Sequence, residues 1–403
     1  MCYLRLYKKR RSHPFLTTIV SAALLTSSPI YASGIFLQEA VVANAGTVGA
    51  GDGVYTKSAA AMWANPATMS GMGNSKTTVN AMAFDLKMDY ADNQGQGDAS
   101  GHTIMPSVGL FYVQQFDEDW HFGIALGTVG GSSIDYGQDW AGSLLMSDIT
   151  LTALQVNPSA SYKVNEQLSL GIGAQLSWAS LEMGMLNGQA NLDEDADWAY
   201  GFNLGAMYQL NESLDVGFSF RSKLEHDFST SLSGPLAQSP SVATDIVVPA
   251  IYDVSARYTA TDKLDVLTSV QLHRWSEWDQ TTFNMANNVS PSIARNWDDV
   301  WKLAVGLDYQ LSSNWNLKTG FSYESSPQDD PSYQWVDLPV GKQYRYSVGA
   351  STNWNDYTVD LFYEYADLGD VDMYFDGLTQ ANLGQLDGTF SGQIHFIGVS
   401  VTY

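Results

Sequence analysis

The sequence predicts an all-β protein, a 14-stranded antiparallel transmembrane β-barrel with a small helical N-terminal plug in its lumen. Three observations predict it. An export signal opens the chain, apolar and polar residues alternate with period two from about residue 76 to the end, and the connections between alternating segments are short and long by turns. Composition agrees: 45% of the 403 residues are apolar and only 15% charged, with 35 Gly, 22 Tyr and 12 Trp, too much aromatic surface for a chain that stays solvated and disordered. Forty-three acidic residues against 19 basic ones give a net charge of −24, which excludes a protein that grips nucleic acid through clustered Lys and Arg.

Residues 1–32 read as a secretory signal peptide. The basic cluster Lys8-Lys9-Arg10-Arg11 precedes an apolar stretch from Phe15 to Leu25, too short to span a bilayer, and Tyr31-Ala32 offers a cleavage site before Ser33. The single cysteine, Cys2, lies in this segment, so the mature chain has neither a disulfide nor a thiolate metal site. No later run of 18 apolar residues suggests a helical membrane span. What remains is a soluble exported protein or an outer-membrane barrel.

Residues 33–75 form the predicted plug. They carry Gly46, Gly49, Gly51 and Gly53, then the helix-like, uncharged Ser58-Ala59-Ala60-Ala61-Met62-Trp63-Ala64, stopped by Asn65-Pro66. About forty compact, small residues ahead of a barrel fit inside its lumen, and a plugged barrel is no general porin.

Residues 76–403 form the predicted barrel. Alternation is plain in Met82, Phe84, Leu86, Met88 and Tyr90 against Asp85, Lys87 and Asp89, and in Trp301, Leu303, Val305, Leu307 and Tyr309 against Lys302, Gly306 and Asp308. Fourteen segments follow this rule: 76–90, 104–114, 120–130, 150–163, 168–186, 198–210, 214–226, 245–258, 264–278, 297–311, 315–324, 344–354, 357–368 and 389–403. An even count suits closure, and alternate connections of a few residues and of more than ten match periplasmic turns and outer loops. A secreted sandwich or propeller is the competing reading, disfavoured by that alternation. Trp120, Trp198, Trp297, Trp315 and Trp354 stand at segment ends, where an interfacial girdle belongs. The aromatic C-terminal residue, Tyr403, is the expected contact of the barrel assembly machinery.

The chain resembles the FadL family of outer-membrane transporters. The resemblance rests on Ser33-Gly34-Ile35-Phe36-Leu37, Gly49-Ala50-Gly51 and Asn65-Pro66-Ala67, similar to that family's hatch with its Asn-Pro-Ala signature. It rests also on Asn157-Pro158-Ser159-Ala160-Ser161-Tyr162-Lys163, Trp275-Ser276-Glu277-Trp278 and Asn296-Trp297-Asp298-Asp299-Val300-Trp301-Lys302, in that order and spacing. Where the family often has Phe as third mature residue this chain has Ile35, with Phe36 beside it. The resemblance implies passive uptake of long-chain fatty acids or similar hydrophobic molecules through the lipopolysaccharide-bearing outer membrane. Hatch movement and sideways exit at a kinked strand complete the implied route, with Ile35, Phe36, Asn65, Pro66 and Ala67 on the hatch and ligand path. Uptake of aromatic or alkane hydrocarbons, and a structural or adhesive surface barrel, are the alternatives.

On sequence the kink falls in the third segment, where Gly123, Gly127 and Gly130 weaken a strand; glycines common on a lumen face are the plainer explanation. Arg221, Arg257, Lys302, Lys318 and Arg345 face the predicted lumen. Each could pair with a ligand carboxylate, because an unpaired charge in a low-dielectric pocket is costly, or only with lumen acids such as Asp253 and Asp308. No enzyme is expected: the six histidines, among them His226 and His273, lack ligand spacing, no Ser/His/acid set can be assembled, and neither a resident metal nor a cofactor is implied. The acidic runs Asp193-Glu194-Asp195 with Asp197, and Asp329-Asp330, are solvated loop faces or bridges through divalent cations to lipopolysaccharide phosphates.

Overall fold

The computed structural model describes residues 39–286, 288, 290–376 and 385–403. The signal segment and the expected path residues Ile35 and Phe36 lie outside the described residues. Nineteen strands follow one another: β1 Ser75–Asp92, β2 Ala99–Gln115, β3 Trp120–Asp135, β4 Asp148–Lys163, β5 Leu168–Met185, β6 Ala190–Asn211, β7 Leu214–Arg221, β8 Leu224–Ser233, β9 Ser239–Val248, β10 Ile251–Thr261, β11 Leu264–His273, the short β12 Gln280–Thr282, β13 Asn284–Met285 and β14 Ser292–Ala294, then β15 Val300–Gln310, β16 Trp315–Glu324, β17 Gln343–Trp354, β18 Tyr357–Phe375 and β19 Leu386–Thr402.

They close into a barrel of 14 antiparallel staves. The ring shuts where β1 pairs with both β2 and β19, Thr78 opposite Phe111 on one side and Thr402 on the other. β7 and β8 make one stave interrupted at 222–223, and β9 and β10 make its neighbour interrupted at Pro249-Ala250, with Arg221 opposite Ile251 and Leu224 opposite Val248. The strands run further outward than alternation suggests. Much of 227–244, expected as a loop, is the β8–β9 hairpin, and the 187–197 loop shrinks because β6 starts at Ala190. Polar residues satisfy the ladder as well as apolar ones do, so alternation marks only the part of a strand that lipid touches.

That part is unmistakable. Ile124, Ile172, Phe218, Val305, Leu361 and Ile397 point outward and are exposed, while Asn157, Ser161, Ser219, Ser255, Ser322 and Ser347 point inward and are buried. In water the outer band would be an aggregation surface; in hydrocarbon it is matched to its solvent. No helix among the described residues is long and apolar enough to cross a membrane. Trp120, Trp198, Trp315 and Trp354 are 40–69% exposed, as a girdle requires. Trp297 departs from that expectation: it is 5% exposed and packs edge-on against Trp275 and Trp278 inside the long-loop end.

Candidate functional site

Residues 39–74 fill the lumen at the short-turn end. Two single 3-10 turns, Glu39–Val41 and Asp52–Val54, lead to a helical turn, Ala61–Ala64, and a 3-10 turn, Pro66–Gly71. Small residues permit this compactness: Ala50, Ala59, Ala60, Ala61 and Ala67 are wholly buried. Barrel glycines make room from the other side. A side chain at Gly205 would strike the Asn65 side chain, and one at Gly171 would strike Pro66 and Ala67.

Asn65 knits the plug together. Its Oδ1 accepts from the Ala67 N–H at 3.0 Å, and its Nδ2 donates to Gly53 O at 2.7 Å and to Ala206 O of β6 at 3.0 Å. Pro66, which has no N–H to lose, occupies the first position of the turn that Asn65 caps. Asp52 accepts the backbone N–H groups of Ala43 at 2.7 Å and Asn44 at 3.1 Å, and burial pushes its carboxyl up to about 6. Around it, Gly51 N–H donates to Ser269 of β11 at 3.0 Å, and Asn80 of β1 donates to Ala40 O at 2.9 Å and Val42 O at 3.0 Å.

The five lumen cations divide sharply. Arg257 pairs with Asp215 at 2.6 Å, Lys318 with Asp360 at 2.5 Å, and Arg345 with Glu39 of the plug and, at 3.7 Å, with Glu364. Pairing with lumen acids was one expectation, but the acids are not Asp253 and Asp308. Asp253 accepts from Ser255 at 2.6 Å and Gln271 at 2.8 Å, and Asp308 accepts from Asn316 at 2.6 Å. Arg221 has no carboxylate: it donates to Trp63 O at 2.7 Å, Gln175 Oε1 at 2.7 Å and Asn157 Oδ1 at 3.2 Å, with its guanidinium 4.6 Å from the centre of the Trp63 ring. It therefore fastens the plug to β4, β5 and β7. Lys302 alone of the five makes no ion pair or hydrogen bond among the described residues.

Lys302 opens onto a small cavity of about 140 Å³ above the plug, lined by the charged Glu39, Lys302, Arg345 and Glu324 and by the apolar Leu86, Met88, Ile134 and Leu338 among others. Beyond it, under the long loops, lies an apolar cavity of about 610 Å³ lined by Leu151, Leu181, Met183, Leu192, Ile246, Phe283 and Phe375. On the opposite side of the plug a polar hollow of about 570 Å³, with Lys57, Lys76 and Asp265 in its wall, opens among the short turns. The outer cavity offers apolar surface worth about 25 cal/mol per Å² buried, and the inner one a cation.

The wall is incomplete in one place beside this path. β2 and β3 pair from Gln115 opposite His121 up to Gly109 opposite Gly127, and there the ladder stops. Thr128 bridges the end with its hydroxyl, accepting from Val108 N–H at 3.1 Å, and a register shift between Thr128 and Gly130 bends β3 against β4. Of the three glycines expected to kink this strand, only Gly130 borders the bulge. Gly123 and Gly127 sit in regular pairing, and they lack side chains because the plug presses on them: a Cβ on Gly123 would lie 2.7 Å from Met69 Sδ, and one on Gly127 would meet Val41.

The acidic runs find partners within the protein. Asp197 and Asp195 accept the N–H groups of Asp227 at 2.9 Å and Ser229 at 2.8 Å, taking the place of backbone carbonyls between β6 and β8, and Asp193 accepts from Ser231 and from Ser233 at 2.6 Å. Asp330 caps Ser332, whose hydroxyl and N–H hold its carboxyl below the usual range. Among the described residues no group of three or more His, Cys, Asp or Glu could hold a metal ion. Sequence reasoning missed Glu39, Glu364, Arg295 and Asp337. Glu39 lies in the plug, which has no period; Glu364 lies on the lumen face of segment 357–368, where alternation gives the face but not the partner; Arg295 and Asp337 fall in loops where alternation says nothing.

The family described as outer membrane protein transport protein (OMPP1/FadL/TodX) matches residues 23–403. Outer membrane protein P1 of Haemophilus influenzae is 22% identical over 86% of this chain and 88% of its own length. The long-chain fatty acid transport protein of Escherichia coli (strain K12) is 19% identical over 87% and 91%. Among solved structures, a Pseudomonas aeruginosa FadL homologue superposes with a TM-score of 0.83 at 19% identity, over 92% of this chain and 99% of that one. The Pseudomonas putida toluene transporter TodX gives 0.70 at 16% identity, over 93% and 98%. These likenesses show a shared barrel fold.

Proposed function

From the premise that this chain belongs to the OMPP1/FadL/TodX family of outer-membrane transport proteins, we propose that it takes up long-chain fatty acids by passive diffusion. A relative named for long-chain fatty acids and a structural neighbour named for toluene bracket the ligand. The observation that favours the acid is Lys302, a cation bordering the cavity above the plug without an ion pair of its own. Glu324 opposite it in the ladder and the buried Asp52, Asp253 and Glu364 lie within electrostatic reach without bonding it, so a ligand carboxylate would give it a charge-assisted hydrogen bond that a neutral aromatic would not.

In this reading the ligand settles in the outer apolar cavity, moves to the inner one with its acid on Lys302, and leaves sideways where β3 parts from β2 as the plug shifts. Sideways exit keeps the chain out of water. Crossing the polar hollow below the plug would expose it at about 25 cal/mol per Å², while the outer-membrane hydrocarbon lies directly beyond the gap. Arg221, Arg257, Lys318 and Arg345 then serve to hold the plug and the wall rather than the ligand.

The test is saturable oleate binding to the refolded mature protein, with toluene and hexadecane as competitors. A hydrogen bond to a charged group contributes about 1.5–3 kcal/mol, so Lys302→Gln should weaken oleate roughly 10- to 100-fold and leave hexadecane untouched. Toluene binding that oleate does not contest would move the substrate to hydrocarbons, and no binding of any of the three would return the chain to a structural or adhesive role.

A further inference from the structure

The two cavities meet at one buried ion pair, Arg295 with Asp337. Asp337 borders both cavities, and Arg295 borders the outer one. Arg295 is 1% exposed. It donates through Nη1 to Asp337 Oδ1 at 2.9 Å and through Nη2 to Oδ2 at 2.5 Å, and through Nε and Nη2 to the Thr281 hydroxyl at 3.2 and 3.1 Å. Its guanidinium lies 4.6 Å from the Trp278 ring centre and 5.5 Å from that of Trp297. Where the outer and inner cavities adjoin stands a two-pronged ion pair set against two indoles. Among the described residues lining the outer cavity the charged ones are Arg295, Asp337 and Asp245.

A guanidinium buried this deeply cannot give up its carboxylate for nothing, but it can exchange one carboxylate for another at unchanged charge and geometry. An incoming fatty acid carries such a carboxylate, and a hydrocarbon or an ester does not. Asp337 already borders the inner cavity, whose lining includes the cations Lys302 and Arg345, so its carboxylate has a countercharge to turn to when displaced and returns to Arg295 as the ligand moves on. We propose that Arg295 and Asp337 form a carboxylate-exchange gate: the ligand's acid replaces Asp337 on Arg295, the partition parts, and the acid passes on to Lys302. The gate rests on the fatty-acid reading above and adds to it a filter at the entrance. A neutral molecule of the same shape fills the outer cavity but meets a closed partition. No bond is made or broken in the exchange.

The experiment compares uptake of oleate and methyl oleate, which differ in the charge and one methyl group, by intact Gram-negative cells that depend on this protein. The wild type should favour oleate by at least about tenfold. Asp337→Asn and Arg295→Gln should each bring the two rates within about threefold, mainly by letting the ester pass, while Asp337→Glu, which keeps the exchangeable carboxylate, should retain the preference. Variants are scored only where heat-modifiable mobility shows a folded, inserted barrel. Folded Asp337→Asn or Arg295→Gln protein with the wild-type ratio overturns the gate. So does wild-type protein that takes up both compounds equally, an outcome that needs no variant. Absence of oleate uptake by the wild type overturns the fatty-acid reading itself, and the two failures are therefore distinct.

Discussion

The plug meets the barrel in two different ways. Towards the middle of β3 it offers grease: Val41, Met62 and Met69 lie close-packed against Gly123 and Gly127, and its hydrogen bonds to this side, from His121 to Gly73 O and from Gln114 to Asn74 O, are confined to the short-turn edge. Towards β6, β7, β11 and β17 it is fastened, by Asn65 to Ala206, Arg221 to Trp63, Gly51 to Ser269 and Arg345 to Glu39. Apolar contact is non-directional and can slide, and an apolar ligand can replace it; buried hydrogen bonds are directional and costly to leave unmade. The loose side of the plug is the side where the wall is interrupted. On the proposed route this is the side on which a hydrophobic ligand would displace the plug without unfolding it.

Removing both kinds of contact gives the largest effect. Deleting residues 33–75 should leave an inserted barrel leaky to small polar solutes, measurable as conductance in planar bilayers; a barrel that stayed tight would mean these residues are no plug. Loosening only the fastened side comes next. Asn65→Ala strips two carbonyls and one N–H of their buried partner, at about 1–3 kcal/mol for each group left unsatisfied, so fatty-acid uptake should change while insertion does not. Pro66→Ala acts in the same direction and more weakly, through the freedom it restores to the turn. Unchanged uptake in both inserted variants would show that the fastened side does not limit movement.

The smallest effect is on pH. Asp52 has its carboxyl raised to about 6 by burial, against an ordinary value of 3.8. A group raised on folding contributes stability that is fully present below its unfolded value and lost as pH rises through the folded one. The plug should therefore sit more firmly near pH 4 than at pH 7.5, seen as slower proteolysis of residues 39–72 in the refolded protein. Asp52→Asn should flatten that dependence, and an identical slope in the variant would assign it to another group.

How much of this could be read in the sequence follows from period. Strand number, lipid face and short turns were legible because lipid imposes alternation on every stave. The plug was legible as a small-residue, largely uncharged stretch with Asn65-Pro66 ending its helix-like part. Lys302 was legible as a cation on a lumen face, but not as the unpaired one. Its four companions find Asp215, Asp360, Glu39 and the Trp63 carbonyl through strand register and plug placement, and a register slip of one residue turns every side chain to the other face. Glycine misled for a related reason. In a strand it marks either a bulge or a close approach; Gly130 borders the bulge, while Gly123 and Gly127 admit the plug. Arg295, Asp337 and Trp297 were out of reach as a group because loops carry no period, so nothing local brings the three into contact.

The exit through the wall is the central claim, and deleting Val129 addresses it most directly. That residue is the surplus one between Thr128 and Gly130, and without it β3 can pair with β2 beyond Gly109. The variant should be a folded, inserted barrel that binds oleate as the parent does and no longer delivers it to the cell. Undiminished oleate uptake by that variant would contradict the exit through the wall, and would send the ligand past the plug by another route.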